Sequence, residues 1–306
     1  MPKTTKVSQP KIIAAIPCYN EERFIGSVVL RARRFVDQVI VVDDGSTDET
    51  AAVAEAAGSL VIKHKSNKGK GMAMNSAFQW AKKSGVQAMV MLDGDGQHEP
   101  AHIPTVLLPV FAGQADVAIG SRFLGVKSTI PGYRTIGQRI LTLVTNFGSG
   151  VKLSDTQSGF KAFSRKAIET LSFRHIGVGD VESEMQFLIK ENALSVIEVP
   201  IIVNYDERAK RSPLAQGAKN FNALLNMIAE RRPLFFFGLS GFILTVIGLV
   251  IGAMVVRTWT IGGGIAIGTA LVSVLLLVIG VFSMFTSLIL NTIRNLILTA
   301  IGREKS

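Results

Sequence analysis

Two long uncharged apolar runs near the C-terminus restrict the folds open to this chain more than any other feature. The first, LFFFGLSGFILTVIGLVIGAMVV, covers residues 234–256, and the second, IAIGTALVSVLLLVIGVFSMFTSLIL, covers residues 265–290. Each run exceeds the roughly 20 residues that a helix needs to cross a bilayer core. Buried helices of a soluble protein are the alternative, but such helices normally carry a polar face. We therefore predict a C-terminal hairpin of two transmembrane helices.

The charges that flank these runs predict an orientation. Arg231 and Arg232 precede the first run, and Arg294, Arg303 and Lys305 follow the second run. The connection between the two runs contains one basic residue, Arg257. By the positive-inside rule, both termini and the N-terminal domain face the cytoplasm of a multi-pass protein of the cell membrane. The apolar run near the N-terminus is too short for a signal peptide. The single Cys18 excludes an intramolecular disulfide and offers no cysteine cluster for zinc.

Strand-like and helix-like runs alternate in the N-terminal part of the chain. Apolar stretches such as KIIAAI, QVIVV, LVIKH and AMVML are separated by longer mixed stretches such as EERFIGSVVLRARRF and GMAMNSAFQWAKKSG. Continuous apolar strands between helices indicate a mostly parallel sheet covered on both faces. We predict a doubly wound α/β domain over residues 1–214, a juxtamembrane segment over 215–232 and the membrane hairpin over 233–306.

The juxtamembrane segment allows two interpretations. Apolar residues recur in it at helical spacing, which fits an amphipathic helix in the membrane interface or a helix packed on the domain: Phe221, Leu224, Leu225 and Ile228. The net charge of +10 could suggest nucleic acid as a partner. However, the late basic residues approach the first apolar run and no nucleic-acid-binding motif accompanies them, so anionic lipid is the partner we expect.

Polar clusters follow several of the predicted strands. They are PCYNEE after the first strand, DDGSTDET after the second, DGDGQH after the fourth, and Arg122 after the later run DVAIGS. Ligands of doubly wound sheets bind at the carboxyl ends of the strands, so these clusters predict a binding site at one edge. Within the second cluster, Ser46 with Glu49 three residues later predicts the start of a helix that ends at Gly58.

In this order, the motifs IPCYNEE, VVDDGSTDET, NKGKGMAMNSAF, MLDGDGQHEP, AIGSRF, DTQSGFKAF and YDERAKRS resemble the family 2 glycosyltransferases of GT-A, Rossmann-like fold. The resemblance is closest to the polyprenyl-phosphate sugar synthases, such as dolichol-phosphate mannose synthase and its bacterial glucosyl relatives. It covers nearly the whole cytoplasmic domain, and the two-span tail is similar to that of a subgroup with a C-terminal hairpin.

The resemblance implies where a nucleotide sugar donor would bind. It places Pro17, Tyr19 and Glu21 beside the nucleotide, and Val41 and Asp43 at the base. Further residues are implied to bind the donor or its metal. They lie after the fourth strand and in the basic motif YDERAKRS: Asp93, Gly94, Asp95, Gln97 and Arg208. Because Gly94 has no Cβ, it permits unusual backbone angles and a close approach of a phosphate.

A divalent cation is the cofactor that the resemblance implies, with Asp95 and Gln97 as its ligands. Mg²⁺ or Mn²⁺ prefers oxygen ligands, which one or two carboxylates, the donor phosphates and water would supply. A cation bridging the phosphate oxygens would neutralise the charge that develops on a diphosphate leaving group.

For the acceptor, the resemblance implies that Arg122 and Arg134 bind a lipid phosphate, because the arginine fork matches phosphate oxygens. The catalytic residues would be Asp95, Arg122 and Asp155. A phosphate monoester is largely dianionic at neutral pH, with a second pKa of about 6, so the acceptor does not require a general base. We expect Asp155 to orient an arginine or the sugar instead.

The predicted function is inverting transfer of a hexose from a nucleotide diphosphate sugar, GDP-mannose or UDP-glucose, to dolichyl or undecaprenyl phosphate, by a protein that could form a homo-oligomer. One alternative is a family 2 transferase with another lipid or glycan acceptor. A processive polysaccharide synthase is disfavoured because the QxxRW signature is absent. The other alternative is a catalytically silent membrane module that binds nucleotide sugar.

Overall fold

The computed structural model describes residues 11–125, 132–173, 181–203, 225–226, 228–229, 232–264 and 266–303, with backbone alone for the helical residues 132–134, 136 and 297–303. The chain forms two compact units, Met1–Leu224 and Leu225–Ser306. Their boundary falls inside the predicted juxtamembrane segment, most of which lies outside the described residues.

The first unit is built on a seven-stranded sheet. Its strands are β1 (Ile12–Cys18), β2 (Gln38–Asp43), β3 (Leu60–Lys63), β4 (Ala88–Met91), β5 (Val117–Ser121), β6 (Lys161–Ser164) and β7 (Val196–Pro200). The order across the sheet is β3-β2-β1-β4-β6-β5-β7, and β6 alone among them runs antiparallel to its neighbours. The predicted mostly parallel sheet is confirmed, and so is the alternation of strands and helices over its first half.

Helices cover both faces of this sheet. They are α1 (Ile25–Ala32), α2 (Thr50–Ala56), α3 (Lys70–Lys83), α4 (Ile103–Phe111), α5 (Gly132–Ser149), α6 (Arg165–Thr170) and α7 (Val181–Glu191), with a 3₁₀ turn at Pro100–His102. One buried apolar cluster contains residues of α1, α2 and α4, and a second contains residues of α3, α6 and α7. Strand residues alternate between the two clusters, which explains why the strands read as continuous apolar runs.

The predicted start of α2 is wrong. The helix begins at Thr50 rather than just after Ser46, because the Ser46 hydroxyl accepts a hydrogen bond from the backbone of Asn20 (2.9 Å). Asp48 instead accepts from the backbone N–H of Thr50 (3.0 Å). The predicted end is confirmed, since the helix stops before Gly58, whose φ is +87°.

The described part of the second unit contains two long helices, α8 (Ser240–Thr260), preceded by a π-helical stretch at Leu234–Leu239, and α9 (Ile267–Arg303). The stretches Leu234–Thr260 and Ile267–Leu296 are long and apolar enough to cross a membrane, which agrees with the two predicted spans. Small residues fill the contact between them. A Cβ on Gly241 would lie 2.6 Å from the carbonyl oxygen of Gly280, and Ser273 Oγ donates to the carbonyl oxygen of Gly248 (2.8 Å).

Large apolar side chains of this hairpin point away from that contact, and examples are Phe242, Leu249, Leu271 and Phe282. Small residues at the contact between two helices, with large apolar residues facing away from it, are typical of helix pairs in an apolar environment such as lipid.

Candidate active site

The site lies where the sheet changes its winding direction. From β1 the chain proceeds to β2 and β3 on one side, whereas β4 lies on the other side of β1. The pairing of β1 with β4 ends at Ala15 and Met91, while β1 stays paired with β2 up to Cys18 and Asp43. The two neighbouring strands therefore separate at their carboxyl ends. Such a switch point is where open α/β sheets bind ligands.

The segments after β1 and β2 are joined by hydrogen bonds. Asn20 adopts a left-handed conformation (φ +56°), and its Oδ1 accepts from the backbone N–H of Thr47 (2.9 Å). The backbone N–H of Glu21 donates to Thr50 Oγ1 (2.7 Å). These contacts fix the half-buried side chains of Tyr19 and Glu21 beside the end of β2, whereas Pro17 is buried in β1.

The two aspartates after β2 have different environments. Asp43 is wholly buried; its Oδ1 accepts from the N–H of Ser46 (2.9 Å), and its Oδ2 has no hydrogen-bond partner among the described residues. Asp44 accepts from the backbone of Gly69 (2.7 Å) at the start of α3 and contacts His64 Nδ1 (2.6 Å). Asp44 therefore ties the end of β2 to the segment before α3. Asp43 Oδ2 lies 4.0 Å from Lys63 Nζ but has no hydrogen bond among the described residues. Val41 is wholly buried in the core, so its predicted contact with the base stays a prediction.

Asp93, the first carboxylate after β4, is held by cationic and polar neighbours. Lys70 Nζ, at the start of α3, lies 2.6 Å from Asp93 Oδ1 and 2.8 Å from Glu182 Oε1. Glu182 also pairs with the buried Lys161 of β6. On the other side, Nε2 of the buried His98 lies 3.5 Å from Asp93 Oδ2. Two helices and the central strands therefore converge on this carboxylate.

Asp93 and Asp95 have opposite pKa shifts. Burial by itself would raise the pKa of Asp93, but the Lys70 ammonium and His98 outweigh burial and hold that pKa well below its usual range. Burial, followed by the negative charge of Asp93, raises the pKa of Asp95, although its Oδ1 accepts from the backbone N–H of Gln97 (3.0 Å). Asp93 thus stays ionised, with its charge compensated by Lys70 and His98. Ionisation of Asp95 is disfavoured until a positive charge arrives.

Three glycines allow the chain to pass close to this pair. Gly94 does not have a positive φ; a Cβ there would lie 3.0 Å from Cys18 Cβ, so tight packing, and not an unusual backbone angle, favours glycine. The unusual angle belongs to Gly96, with φ +76°. At Gly159, a Cβ would lie 2.8 Å from Asp93 Cγ. The glycine of DTQSGF therefore makes room for the carboxylate after β4.

Arg122 and Asp155 meet on the other side of β6. Asp155 is wholly buried and accepts from Arg122 Nε and Nη2, both at 2.6 Å. Glu198 of β7 accepts from the backbone N–H groups of Ser154 (2.7 Å) and Asp155 (2.9 Å). The loop that carries Asp155 is therefore fixed from β7, and its side chain is directed at the arginine after β5.

The structure thus brings most of the predicted site residues to one edge of the sheet, namely Tyr19, Glu21, Asp43, Asp93, Gly94, Asp95, Gln97, Arg122 and Asp155. Arg134 lies in α5, but only its backbone is described, and Arg208 lies outside the described residues.

Sequence reasoning assigned no role to four residues that hold the site together: Lys70, His98, Glu182 and Glu198. Lys70 and His98 lie inside two of the motifs quoted above, so their position could have indicated a role. Glu198 is a charged residue in the otherwise apolar strand VIEVP, which is also a signal. Glu182 gave no signal, because only the fold brings α7 to α3.

Comparison with known proteins identifies the family. Residues 13–172 match the family model described as glycosyl transferase family 2. The UDP-N-acetylglucosamine–dolichyl-phosphate N-acetylglucosaminyltransferase of Methanococcus voltae is 32% identical over 238 residues, which cover 70% of this chain and 94% of that protein. The polyprenol monophosphomannose synthase of Mycolicibacterium smegmatis is 31% identical over 65% of this chain and 79% of that protein.

A solved structure shares the fold of the first unit. Glucosyl-3-phosphoglycerate synthase of Mycobacterium tuberculosis, solved with Mn²⁺, uridine diphosphate and phosphoglyceric acid, superposes with a TM-score of 0.55 at 20% identity, over 72% of this chain and 78% of that one. The GT-A fold predicted from the sequence is confirmed. The chain belongs to glycosyl transferase family 2 and is a glycosyltransferase.

Proposed function

We propose that this glycosyltransferase moves a sugar from a nucleotide diphosphate donor to a polyprenyl phosphate at a membrane. The observation that carries the proposal is the placement of Asp93 and Asp95 at the switch point, with the ion-paired Arg122 at the same edge of the sheet. The names of the two relatives support the acceptor class, since one acts on dolichyl phosphate and the other is a polyprenol monophosphomannose synthase. Their sugars differ, so GDP-mannose, UDP-glucose and UDP-N-acetylglucosamine are all candidate donors.

The residues present fit a divalent cation that the donor helps to bind. Among the described residues, no group of three His, Cys, Asp or Glu side chains could enclose a metal ion. Asp95 offers a carboxylate whose pKa burial and Asp93 raise, which a bound cation would reverse. Mg²⁺ and Mn²⁺ accept one or two carboxylates with phosphate and water oxygens. When bound, the cation would neutralise charge on the departing diphosphate. The Mn²⁺ complex of the structural neighbour supports this choice.

The remaining steps are assigned to residues of this chain. Oδ2 of Asp43, which has no hydrogen bond among the described residues, would accept one from an N–H group of the base. Arg122 donates from Nε and Nη2 to Asp155 and is the proposed ligand of the acceptor phosphate, for which the arginine fork is suited. Asp155 is a positioning residue, because it contacts the arginine rather than the reacting atoms. Arg134 and Arg208 stay predicted ligands of the acceptor and donor phosphates.

The reaction is an in-line displacement. An oxygen of the acceptor phosphate forms a bond to the anomeric carbon, the bond from that carbon to the donor diphosphate breaks, and a nucleoside diphosphate leaves. The anomeric centre inverts. The acceptor enters as an ionised phosphate, so no side chain has to remove a proton.

The apolar hairpin would keep the enzyme in the membrane that contains its acceptor. Spanning of the bilayer, with both termini in the cytoplasm, is part of the proposal and is supported by the length and composition of the two helices.

A transfer assay with the full-length protein tests the function. Detergent-purified enzyme is incubated with each radiolabelled donor, Mg²⁺ or Mn²⁺ and polyprenyl phosphate, and lipid is extracted into organic solvent. We expect label in the lipid with one donor, and none when the polyprenol lacks its phosphate. Donor binding without labelled lipid from any donor would instead favour a silent binding module, and transfer to the phosphate-free lipid would favour another acceptor class.

A further inference from the structure

A hydrogen-bonded chain of side chains connects the end of β3 with α3. His64, which follows β3, has its Nδ1 2.6 Å from Asp44 Oδ1 and its Nε2 2.8 Å from Ser76 Oγ, inside α3. The side chains of His64 and Asp44 are 9% and 5% exposed. The imidazole is therefore fixed at both of its nitrogens, although the proposed transfer reaction uses neither His64 nor Ser76.

The direction of these hydrogen bonds follows from the chemistry of the three groups. A carboxylate only accepts hydrogen bonds, so His64 Nδ1 donates to Asp44. In the neutral ring Nε2 is then an acceptor, and the Ser76 hydroxyl donates to it. The two partners thus select one tautomer and one orientation of the imidazole.

Asp44 extends the chain to the first residues of α3. Its Oδ1 also accepts from the backbone N–H of Lys68 (3.0 Å), and its Oδ2 accepts from that of Gly69 (2.7 Å). Gly69 has a φ of +91° and directly precedes Lys70, the first residue of α3. The carboxylate that His64 orients therefore holds the turn from which the side chain of Lys70 leaves the backbone.

The far end of the chain is Asp93. Lys70 Nζ lies 2.6 Å from Asp93 Oδ1. Because the lysine side chain is long and flexible, the position of its ammonium depends on the backbone at its root. His64 holds that backbone twice, at the start of α3 through Asp44 and further along the helix through Ser76.

We propose that His64 is a positioning residue for sugar transfer. Bonded to Asp44 and Ser76, it fixes the start of α3. Lys70 is thereby held where its ammonium compensates the charge of Asp93. The kinetic part of this inference rests on the proposed function, whereas the chain of contacts does not depend on any transfer reaction.

Competitive acetylation of the full-length, detergent-purified protein tests the chain of contacts without transfer. Substoichiometric acetic anhydride and mass spectrometry measure the reactivity of Lys70 relative to the exposed Lys65. We expect His64→Phe, which removes both ring hydrogen bonds, to raise this ratio severalfold, because an ammonium held between carboxylates reacts more slowly than a free one. His102→Phe removes the bond from the backbone N–H of Ile202 to His102 Nε2 and, as the matched control, should leave the ratio unchanged.

A second variant keeps this test decisive if His64→Phe does not fold, which thermal unfolding checks. Ser76→Ala removes one hydroxyl and retains the imidazole, and it should also raise the relative reactivity of Lys70, by a smaller factor. Its matched control is Ser59→Ala, because the Ser59 hydroxyl donates to the carbonyl oxygen of Ala54 (2.8 Å), away from α3. Unchanged reactivity of Lys70 in the folded variants would overturn the proposal.

A double-mutant cycle measures the effect on transfer. We expect His64→Phe to lower kcat by about tenfold, which is part of the roughly 100-fold that a 1 Å displacement can cost. In the Lys70→Met background the same change should lower kcat by less than about twofold, since both substitutions affect one chain of contacts. His64→Asn keeps an N–H group at the place of Nδ1 and should recover more of kcat than His64→Gln.

Two kinetic results would overturn the proposal. A lower melting temperature of His64→Phe with an unchanged kcat would show a purely structural role, and full tenfold losses in both backgrounds would show that His64 acts independently of Lys70. Absence of transfer by the wild-type protein with every donor would contradict the proposed function alone, because the acetylation result still decides whether His64 holds Lys70.

Discussion

Asp155 accepts two hydrogen bonds, each of 2.6 Å, from the guanidinium of Arg122, and both side chains are at least nine-tenths buried. Removing one partner of a buried pair leaves an uncompensated charge, which typically costs about 3–5 kcal/mol. We therefore expect Asp155→Asn and Arg122→Met each to lower the free energy of unfolding by about that amount and to abolish transfer.

The double variant Arg122→Met/Asp155→Leu separates stability from catalysis. Apolar replacements of buried ion pairs are often neutral, so the double variant should recover much of the stability measured by chemical denaturation. It should stay inactive in the lipid transfer assay, because the acceptor phosphate loses its proposed contact with Arg122. Transfer by the stable double variant would contradict the role of the pair in the reaction.

Asp95→Ala should abolish metal-dependent transfer while leaving membrane insertion intact. Glu55→Ala, a change of an exposed carboxylate on α2, is the control and should keep near-normal transfer. Binding of Mn²⁺ in the presence of nucleoside diphosphate, followed by electron paramagnetic resonance, should be lost in the Asp95 variant alone. Near-normal transfer by Asp95→Ala would rule out the metal role.

The raised pKa of Asp95 also predicts a stability effect with a definite sign. A carboxyl group whose pKa is higher in the folded state disfavours folding once it is ionised, at pH values above that pKa. Asp95→Asn should therefore raise the melting temperature of the metal-free protein at pH 7, by about 2–4 °C for each kcal/mol. The gain should shrink as the pH falls and wild-type Asp95 becomes protonated. A melting temperature equal to or below that of the wild type at pH 7 would contradict the shift.

Lys70 is expected to position Asp93 by its charge. Lys70→Met removes the cation that lies 2.6 Å from Asp93 Oδ1 and leaves Glu182 with Lys161 alone. Displacement of a reacting group by 1 Å can cost about 100-fold in rate, so kcat should fall by up to about that factor. Lys70→Arg retains the charge and should restore part of the activity. Equal kcat values for the Met and Arg variants would show that charge at position 70 is unimportant.

Gly159→Ala should damage the site because the new Cβ would press on the carboxylate of Asp93. We expect at least about a tenfold loss of kcat/KM, which corresponds to roughly 1.4 kcal/mol of transition-state stabilisation. Gly137→Ala is the matched control: nothing lies within 4 Å of a Cβ there, and the residue is inside α5. Alanine in a helix is favoured over glycine by about 1 kcal/mol, so the control should be neutral or slightly stabilising.

Gly241→Val should weaken the apolar hairpin, since its side chain would meet the backbone of Gly280 and Met284. In the detergent-purified protein, we expect the unfolding transition of the hairpin to have a lower melting temperature. This transition is followed by the intrinsic fluorescence of Trp259. Gly268→Val, at a position with nothing within 4 Å of a Cβ, should leave that transition unchanged. Equal effects of the two substitutions would contradict the close packing of α8 and α9.

Much of the architecture could be predicted from the sequence because it depends on local patterns. Apolar runs between helical stretches predicted β1 to β4 in order, and the composition of residues 234–290 predicted two long apolar helices. Polar residues after parallel strands must meet at one edge, so Asp93 and Asp95 could be assigned to a site from their position after an apolar run.

The sequence alone determined which elements form and which residues lie at the carboxyl ends of the strands, because periodicity and residue type act over a few neighbouring positions. Only the tertiary structure decided which partners these residues have. Ser46 bonds Asn20 rather than starting α2, and Lys70 reaches Glu182 across 112 positions of chain. The direction of α5, with Thr142 and Thr145 inward and Leu143 outward, was decided in the same way, since side chains distant in sequence supply the hydrogen bonds that fix it.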